Sequence, residues 1–375
     1  MNIHMALLLA VMATAFIFEW LGAKHTQKTK RNCIIVITVI ITLFSGLRTW
    51  WFGDLIKYYT LFTKCNSPDW QNVVFEKIEN SGIRIFFKLI GGLNLPYEVC
   101  IFLISAFSAS ALALLVYRYS PSTYWSYVIW IAVGFYMFTY SGLKQTIAMG
   151  FVMFAMIGVI ERRFWLFLFM VLTAGLFHVP ALVFLIAYPY ANQSSGRASI
   201  FTIIILIAAM YLLRNTIVGM LVEAYYSDGS DILAPASGIG GRFMMMIVML
   251  IGAAIVRPIK FERGPYPKVF FIMVLACAIQ LYSIYDNVFT RLADYFFQMS
   301  VLFVPMMLSP NTEDRVYYEW RPSYKIIDAK MYVILSIFVT AFALWFYNST
   351  LEGCSQLLSG YKFIWEINAN SLYGT

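Results

Sequence analysis

Apolar segments almost free of charged residues recur along the whole chain. Each is about 15 to 20 residues long, the length that an α-helix needs to cross the hydrocarbon core of a bilayer. Of the 375 residues, 61% are hydrophobic and only 12% are charged, whereas a soluble domain carries about 25% charged residues. Because lipid cannot satisfy backbone N–H and C=O groups, the spanning segments must be helices. The sequence therefore predicts one all-α domain over residues 1–375, a polytopic integral membrane helical bundle.

We predict about twelve membrane segments, some of them short or re-entrant. The first apolar segment lacks both a basic start and a small-residue cleavage site, so we interpret it as a retained helix and not as a signal peptide. The predicted segments are Ile3–Leu21, Cys33–Leu47, Tyr97–Tyr117, Tyr124–Phe138, Leu143–Ile160, Phe164–Phe177, Pro180–Tyr190, Ile200–Leu213, Phe243–Val256, Val269–Ile284, Leu292–Leu308 and Met331–Phe346.

Three short basic loops predict how the chain is oriented. They contain Lys28 to Arg31, Arg162 to Arg163, and Arg257 to Lys268, and loops of this kind stay in the cytoplasm. All three can share one side only if the chain folds back as two short segments near His178, just before a proline that interrupts the helix. Both termini and two long loops, about residues 48–96 and about residues 214–242, then lie on the outer face.

Charged and polar side chains recur at the predicted outer ends of these segments. Arg48 ends the second segment and Asp54 follows it, Lys144 begins the fifth, and His178 lies at the predicted fold-back. Arginine can bind phosphate through two parallel hydrogen bonds, and a lysine at a helix N-terminus attracts anions. A histidine can donate to phosphate or accept a hydroxyl proton, and an aspartate can orient an arginine or act as a base.

Each of these residues also has an interpretation without catalysis. Interfacial arginines and lysines commonly anchor helices at the membrane surface, and a buried histidine can pack between helices through a hydrogen bond. Arg242 begins an apolar segment, as an anchor would, and Arg291 could pair with Asp294 one helical turn later. The residue types alone leave both interpretations open.

Several classes of function lack their sequence motifs. The chain has no phosphate-binding glycine-rich loop, no HExxH zinc motif and no DxD sequence. The net charge of +8 is scattered over short loops and does not form a basic face, so nucleic acid is not an expected partner. We therefore expect no cofactor and no metal. The substrate must carry its own activating group, and cations at the outer face favour an anionic one.

Four short motifs, in this order, resemble those of the EpsG/Wzy family of polysaccharide polymerases. The lysine of the second motif stands where the family pattern has arginine, and the first motif lacks the threonine of the family pattern. The motifs are Arg48 with Gly53-Asp54 and Tyr58-Tyr59, Lys144-Gln145 with Ala148, Phe177-His178-Val179-Pro180-Ala181-Leu182, and Arg291-Leu292-Ala293-Asp294-Tyr295-Phe296.

The resemblance implies an enzyme, a Wzy-type glycosyltransferase in the bacterial inner membrane. It would join undecaprenyl-diphosphate-linked oligosaccharide repeat units at the periplasmic face and release undecaprenyl diphosphate. Its implied partners are the lipid-linked oligosaccharide, membrane lipids, a chain-length regulator and a flippase. On this resemblance we assign catalysis to Arg48, Asp54, His178 and Arg291, with Asp54 or His178 as the base, and substrate binding to Tyr59, Lys144, Gln145, Asp294 and Tyr295. Arg214 and Arg242 lie outside the four motifs, and our hypothesis adds them to substrate binding as further cations at the outer ends.

Two other functions remain open at this point. An O-antigen ligase uses the same lipid-linked donor but transfers the glycan to lipid A-core. A flippase or transporter of lipid-linked sugars would need polar groups along both leaflets, whereas the charges here cluster at the outer ends. The sequence therefore favours the polymerase.

Overall fold

The computed structural model describes residues 3–21, 26–49, 54–75, 81–193, 196–225, 241–256, 264–285, 287–308, 329–353 and 361–366. These residues are almost entirely helical, and one isolated antiparallel bridge joins Arg48 to Phe363. The α-helices are α1 (Ile3–Phe16), α2 (Gln27–Gly46), α3 (Asp54–Cys65), α4 (Trp70–Phe75), α5 (Ser81–Gly92), α6 (Tyr97–Tyr119), α7 (Thr123–Ala132), α8 (Phe138–Ser141), α9 (Leu143–Ile160), α10 (Phe164–Phe177), α11 (Ala187–Ala191), α12 (Gly196–Tyr225), α13 (Gly241–Val256), α14 (Pro265–Gln280), α15 (Val288–Phe297), α16 (Ser300–Leu308) and α17 (Ala329–Gly353).

The prediction of a polytopic helical membrane protein is confirmed. Helices long and apolar enough to cross a membrane begin at Ile3, Gln27, Tyr97, Leu143, Pro265 and Val333, and shorter apolar helices begin at Phe164, Val179, Phe201 and Phe243. Helix α9 is largely buried and packs against α10. A Cβ atom on Gly158 would lie only 2.7 Å from the backbone nitrogen of Phe167, so the close approach of these two helices requires a glycine there.

The predicted fold-back near His178 is confirmed. Helix α10 ends at Phe177, and the chain returns through a 3-10 helix, Val179–Ile186, into α11. The Tyr188 hydroxyl then donates to the carbonyl oxygen of Arg162 at 3.0 Å, next to the start of α10. The chain therefore comes back to the end of the bundle from which α10 began, as the positions of the basic loops require.

The contacts define two ends of the bundle. At the first, which we call the Lys268 end, α2, α7, α10 and α14 begin and α6 and α9 finish. Lys30 Nζ donates to the carbonyl oxygen of Ser120 at 2.7 Å, beyond α6, and Lys268 Nζ donates to that of Ile160 at 2.6 Å, the last residue of α9. These ammonium groups satisfy carbonyls that have no partner within their helix.

We call the opposite end the His178 end. Helices α2 and α10 finish there, and α6 and α9 begin there. The N-terminal α1 reaches it, because His4 Nδ1 lies 2.9 Å from the Tyr136 hydroxyl, and so does the C-terminal segment, because the Tyr361 hydroxyl donates to the carbonyl oxygen of Phe44 at 2.8 Å. Both ends of the described chain therefore meet at the His178 end.

The predicted long loop over residues 48–96 contains three helices at the His178 end, α3, α4 and α5. The Tyr97 hydroxyl donates to the carbonyl oxygen of Leu55 at 3.3 Å and holds α3 against the start of α6. The side chains of Ile83, Phe87 and Ile90 recur at helical spacing and form the buried face of α5. Helix α5 thus covers this end of the bundle with an apolar face, within a region predicted as a loop.

Several predicted boundaries are wrong, and three of these differences change the description of the fold. The segment Tyr124–Phe138 breaks at Gly134, whose φ of 86° is a conformation that glycine adopts without strain. The segment Leu292–Leu308 is split between α15 and α16. The segment predicted to end at Leu213 continues as α12 to Tyr225, so Arg214 lies within a helix and does not begin the second loop. Helix propagation adds a backbone hydrogen bond per residue, and a single cation near a helix end does not interrupt it.

Candidate functional site

Three cations from three helices come together at the His178 end, and we call them the cationic cluster: Arg84 of α5, Lys144 of α9 and Arg291 of α15. The charge of Arg84 acts on Lys144, and the charges of Lys144 and Arg291 act on the His178 ring. Arg84 and Lys144 are half-buried, whereas Arg291 is exposed. Like charges held this close repel one another unless an anion lies between them. The arrangement therefore favours an anionic ligand.

Asp54 is a carboxylate beside this cluster. It begins α3, and its charge acts on both Lys144 and Tyr58. Asp54 also forms an ion pair of 3.3 Å with Lys57, one helical turn later. Because this pair is exposed, its contribution to stability is small, and the carboxylate can exchange Lys57 for a cation of the cluster or for a substrate hydroxyl.

Tyr58 belongs to the site, although the sequence prediction selected its neighbour Tyr59. The backbone N–H of Lys144 donates to the Tyr58 hydroxyl, and the charge of Arg291 acts on it. Helix α9 has no side-chain cap at Gly142, so Tyr58 supplies an acceptor for one of its unpaired N–H groups. Burial raises the pKa of Tyr58, and the phenol is neutral.

The spacing of Tyr58 from Asp54 is a signal that could have identified it. Residues four apart lie on the same helix face, so Tyr58 shares the face of Asp54 and Tyr59 does not. The Tyr59 ring instead lies 5.6 Å from the ring of Tyr97 and packs against it edge to face.

His178 and Tyr295 form a hydrogen-bonded pair next to the cluster. His178 ends α10 in an extended conformation at the turn before Pro180, and its Nδ1 lies 2.5 Å from the Tyr295 hydroxyl on α15. The side chain is 8% exposed. Burial, and then the charges of Lys144 and Arg291, lower the pKa of His178 to about 3, so the imidazole is neutral at physiological pH. A neutral imidazole can accept a proton.

Arg48 is a buried cation at the same end of the bundle. It is 0% exposed, donates to the carbonyl oxygen of Thr139, and stacks on the Tyr140 ring at 4.3 Å. Its backbone is bridged to Phe363. The charge of Arg48 and the Tyr58 hydroxyl both act on the Tyr97 hydroxyl. This geometry favours a role in positioning the site and does not place Arg48 in contact with a substrate.

The remaining predicted residues occupy several positions. Gln145 and Asp294 are both buried, at 5% and 2% exposure, and Gln145 Nε2 has no hydrogen-bond partner among the described residues. Arg214 stacks on the ring of Tyr211 at 4.5 Å and lies 5.9 Å from the centre of the Tyr285 ring. The side chain of Arg242 lies outside the described residues. The pairing of Arg291 with Asp294 stays a prediction.

Arg84 was not among the predicted site residues. It was assigned to an outer loop, and a charge in a loop has no periodic pattern to show its direction. Its position on α5, one residue after the buried Ile83, is the signal that could have placed it at the edge of the buried face. Over the described residues, no group of three or more His, Cys, Asp and Glu side chains could hold a metal ion.

Comparison with known proteins gives one match. No curated protein and no solved structure matches this chain. The model of the EpsG family matches residues 31–363, a range that includes all four sequence motifs and every member of the cationic cluster. Since this match covers most of the chain, the protein belongs to the EpsG family of polysaccharide polymerase-type membrane proteins.

Proposed function

We propose that the chain is a polymerase that joins undecaprenyl-diphosphate-linked oligosaccharide repeat units at its His178 end and releases undecaprenyl diphosphate. In this proposal the His178 end faces the periplasm and the Lys268 end, with its basic loops, faces the cytoplasm of a bacterium. A flippase supplies the donor, and a chain-length regulator acts on the product.

The observation that carries the proposal is the cationic cluster next to a neutral histidine. A lipid diphosphate leaves with developing negative charge, and fixed cations stabilise that charge in the transition state. Arg291 and Lys144 come from different helices and can approach the diphosphate from two sides. The guanidinium can contact two phosphate oxygens at once, while the ammonium acts as a point charge.

The reaction forms one glycosidic bond and breaks one bond to phosphate. A hydroxyl oxygen of the acceptor unit attacks the anomeric carbon of the donor glycan, the bond from that carbon to the diphosphate breaks, and the hydroxyl proton passes to a base. His178 can take this proton in the tautomer whose Nδ1–H donates to the Tyr295 oxygen, because Nε2 then carries the lone pair. Asp54 is the alternative base, and otherwise orients the cations.

The other residues have supporting roles in the proposal. Tyr58 and Arg48 position α9, and Gln145 and Asp294 contribute polar groups close to the reacting sugars. Arg214 and Arg242 contact the glycan farther from the reacting centre, and Tyr59 belongs to the aromatic packing beneath α3.

The test is an in vitro polymerisation assay with the purified full-length protein in lipid nanodiscs and its cognate lipid-linked unit. Removal of Arg291 as Arg291→Ala is expected to lower the rate by about 10²- to 10³-fold, the cost of losing one preorganised group that stabilises the transition state. His178→Ala is expected to lower it by a similar factor if His178 is the base. The matched control is Arg163→Ala, an exposed arginine at the Lys268 end. Wild-type polymer from both Arg291→Ala and His178→Ala would refute the site.

The ligase and the flippase predict different outcomes. A strain that lacks a polymerase retains single repeat units on lipid A, whereas a strain that lacks a ligase accumulates polymer on the undecaprenyl carrier. If deletion of this gene gives the second phenotype, the protein is a ligase and not a polymerase. Lengthening of lipid-linked glycan by the purified protein would exclude a function limited to transport.

A further inference from the structure

Helix α5 carries two different rows of side chains beside its buried face. Arg84 and Lys88, four residues apart, form a cationic row. Ile85 and Leu89, also four apart, form an apolar row that is 43% and 61% exposed. The two rows are neighbours on the helix surface, because each apolar residue directly follows a cation. One short helix thus presents charge and hydrocarbon side by side.

The cationic row is connected to the proposed active site. Arg84 is a member of the cationic cluster because its charge acts on Lys144. Its Nη1 donates to the carbonyl oxygen of Val73 at 2.9 Å, which fixes one side of the guanidinium. Lys88 Nζ lies 4.7 Å from the centre of the Trp70 ring, over its face. Both cations are therefore held in defined positions.

The apolar row begins where an exposed row on α10 ends. A Cβ atom on Gly82 would lie 3.1 Å from the carbonyl oxygen of Leu176, so α5 starts directly against the end of α10. On α10, Phe169, Leu172 and Leu176 form an exposed apolar row at helical spacing that leads to this contact. A hydrocarbon chain that lies along α10 therefore reaches α5 beside Arg84.

We propose that α5 and the end of α10 form the entry surface for a polyprenyl diphosphate, with Arg84 on the diphosphate and the Ile85–Leu89 row on the first isoprene units. This inference rests on the proposed function and adds the residues that recognise the lipid part of the donor. The occupant is one molecule that combines a highly charged headgroup with a hydrocarbon chain. Its headgroup is complementary to the cationic row, and its hydrocarbon chain is complementary to the apolar row. The multiple charges of a diphosphate match a cluster of cations better than the single charge of an ordinary phospholipid does.

The test measures binding without any polymerisation. The full-length protein in phosphatidylcholine nanodiscs is titrated with two probes, inorganic pyrophosphate and farnesyl diphosphate. Arg84→Ala is expected to weaken the binding of both probes by about tenfold, because it removes a charge-assisted contact. Leu89→Ser is expected to weaken the binding of farnesyl diphosphate by about fivefold, because an apolar contact is lost, and to leave the binding of pyrophosphate unchanged. Leu89 is exposed, so its replacement does not disturb the core.

Matched controls and contradicting outcomes follow from the same titrations. Phe201→Ser removes an apolar side chain that is 66% exposed on α12, and it should leave the affinity for both probes unchanged. Equal affinity of wild type, Arg84→Ala and Leu89→Ser for farnesyl diphosphate would overturn the proposal. So would competition by phosphatidylglycerol as strong as that by farnesyl diphosphate, since the surface would then bind ordinary lipid.

Failure of this inference can be told apart from failure of the proposed function. If probe binding depends on Arg84 and Leu89 but the protein makes no polymer, the proposal of an entry surface is supported and the proposal of a polymerase is refuted. If Arg84→Ala and Leu89→Ser both polymerise at the wild-type rate, the proposal of a polymerase is supported and the proposal of an entry surface is refuted.

Discussion

The two ends of the bundle use their charges in different ways. At the Lys268 end, charged groups bind helix termini: the Lys30 and Lys268 ammonium groups cap carbonyls, and the Glu19 carboxylate accepts hydrogen bonds from the Tyr124 N–H and the Ser122 hydroxyl at 3.1 and 2.9 Å. These contacts complete the backbone hydrogen bonding of neighbouring helices. Their charges contribute to the fold.

At the His178 end, three cations instead lie close to one another. Arg84, Lys144 and Arg291 come from helices that are distant in sequence, and the charges of Lys144 and Arg291 both act on the His178 ring. The contrast indicates that the Lys268 end contributes stability and that the His178 end is arranged for an anionic ligand. Replacing charges at the two ends should therefore affect two different measured quantities.

The largest expected effect is at Arg291. Arg291→Ala should lower the polymerisation rate by about 10²- to 10³-fold while the thermal unfolding midpoint stays close to that of wild type, because the exposed guanidinium stabilises the transition state and does not hold the bundle together. The rate is measured with lipid-linked units and the midpoint by a thermal shift in detergent. A large drop in the midpoint would show that Arg291 is structural, and would remove the contrast between the ends.

The reverse result is expected at Lys268. Lys268→Met leaves the last carbonyls of α9 without their partner, and it should lower the free energy of unfolding by roughly 1 to 3 kcal/mol. The polymerisation rate per folded molecule should remain near wild type. Arg163→Ala, at the same end but exposed, is the matched control and should change neither quantity measurably. Lost activity in a fully folded Lys268→Met protein would contradict the division of roles.

A smaller effect is expected at Tyr58. Tyr58→Phe keeps the ring and removes the hydroxyl that accepts from the Lys144 N–H, so α9 loses about 1 kcal/mol of capping and the polymerisation rate falls by about tenfold. Tyr59→Phe is the control from the adjacent position and should retain the wild-type rate. If Tyr59→Phe were the more harmful of the two, the original sequence prediction would replace the structural assignment.

The smallest expected effect is that of the conservative change Lys144→Arg. Lys144→Arg preserves the positive charge at the start of α9 and should change the rate by no more than about threefold, whereas Lys144→Met should lower it by about tenfold. Both rates are measured in the same assay at equal protein concentration. If the Lys144→Met protein is as active as wild type, Lys144 is not part of the active site.

The helical membrane fold could be predicted from the sequence because bilayer thickness fixes helix length. The turn at His178 could be predicted because short basic loops are expected on one side of the membrane. The break at Gly134 could not be predicted, because an apolar segment carries no periodic signal when both sides of it are buried. The position of Arg214 inside α12 could not be predicted from the sequence either.

The site was predicted less completely than the fold. His178, Tyr295, Lys144 and Arg291 were selected by motif, and the structure brings them together. Arg84 was missed because its place in the cluster depends on how α5 packs, a tertiary contact that local sequence does not encode. The first motif identified Arg48 but did not predict that it is completely buried. The C-terminal segment packs against Arg48 through the bridge to Phe363, and this contact is distant in sequence.

The central claim is that the cations of the His178 end stabilise a departing lipid diphosphate. The most direct measurement counts the undecaprenyl diphosphate released per glycosidic bond formed by the purified protein, and compares the single-turnover rate of its release in wild type and Arg291→Ala. We expect one molecule released per bond in both proteins, with release slowed by at least about 10²-fold in the variant. Polymer formed without release of undecaprenyl diphosphate, or release at the wild-type rate from Arg291→Ala, would contradict the claim.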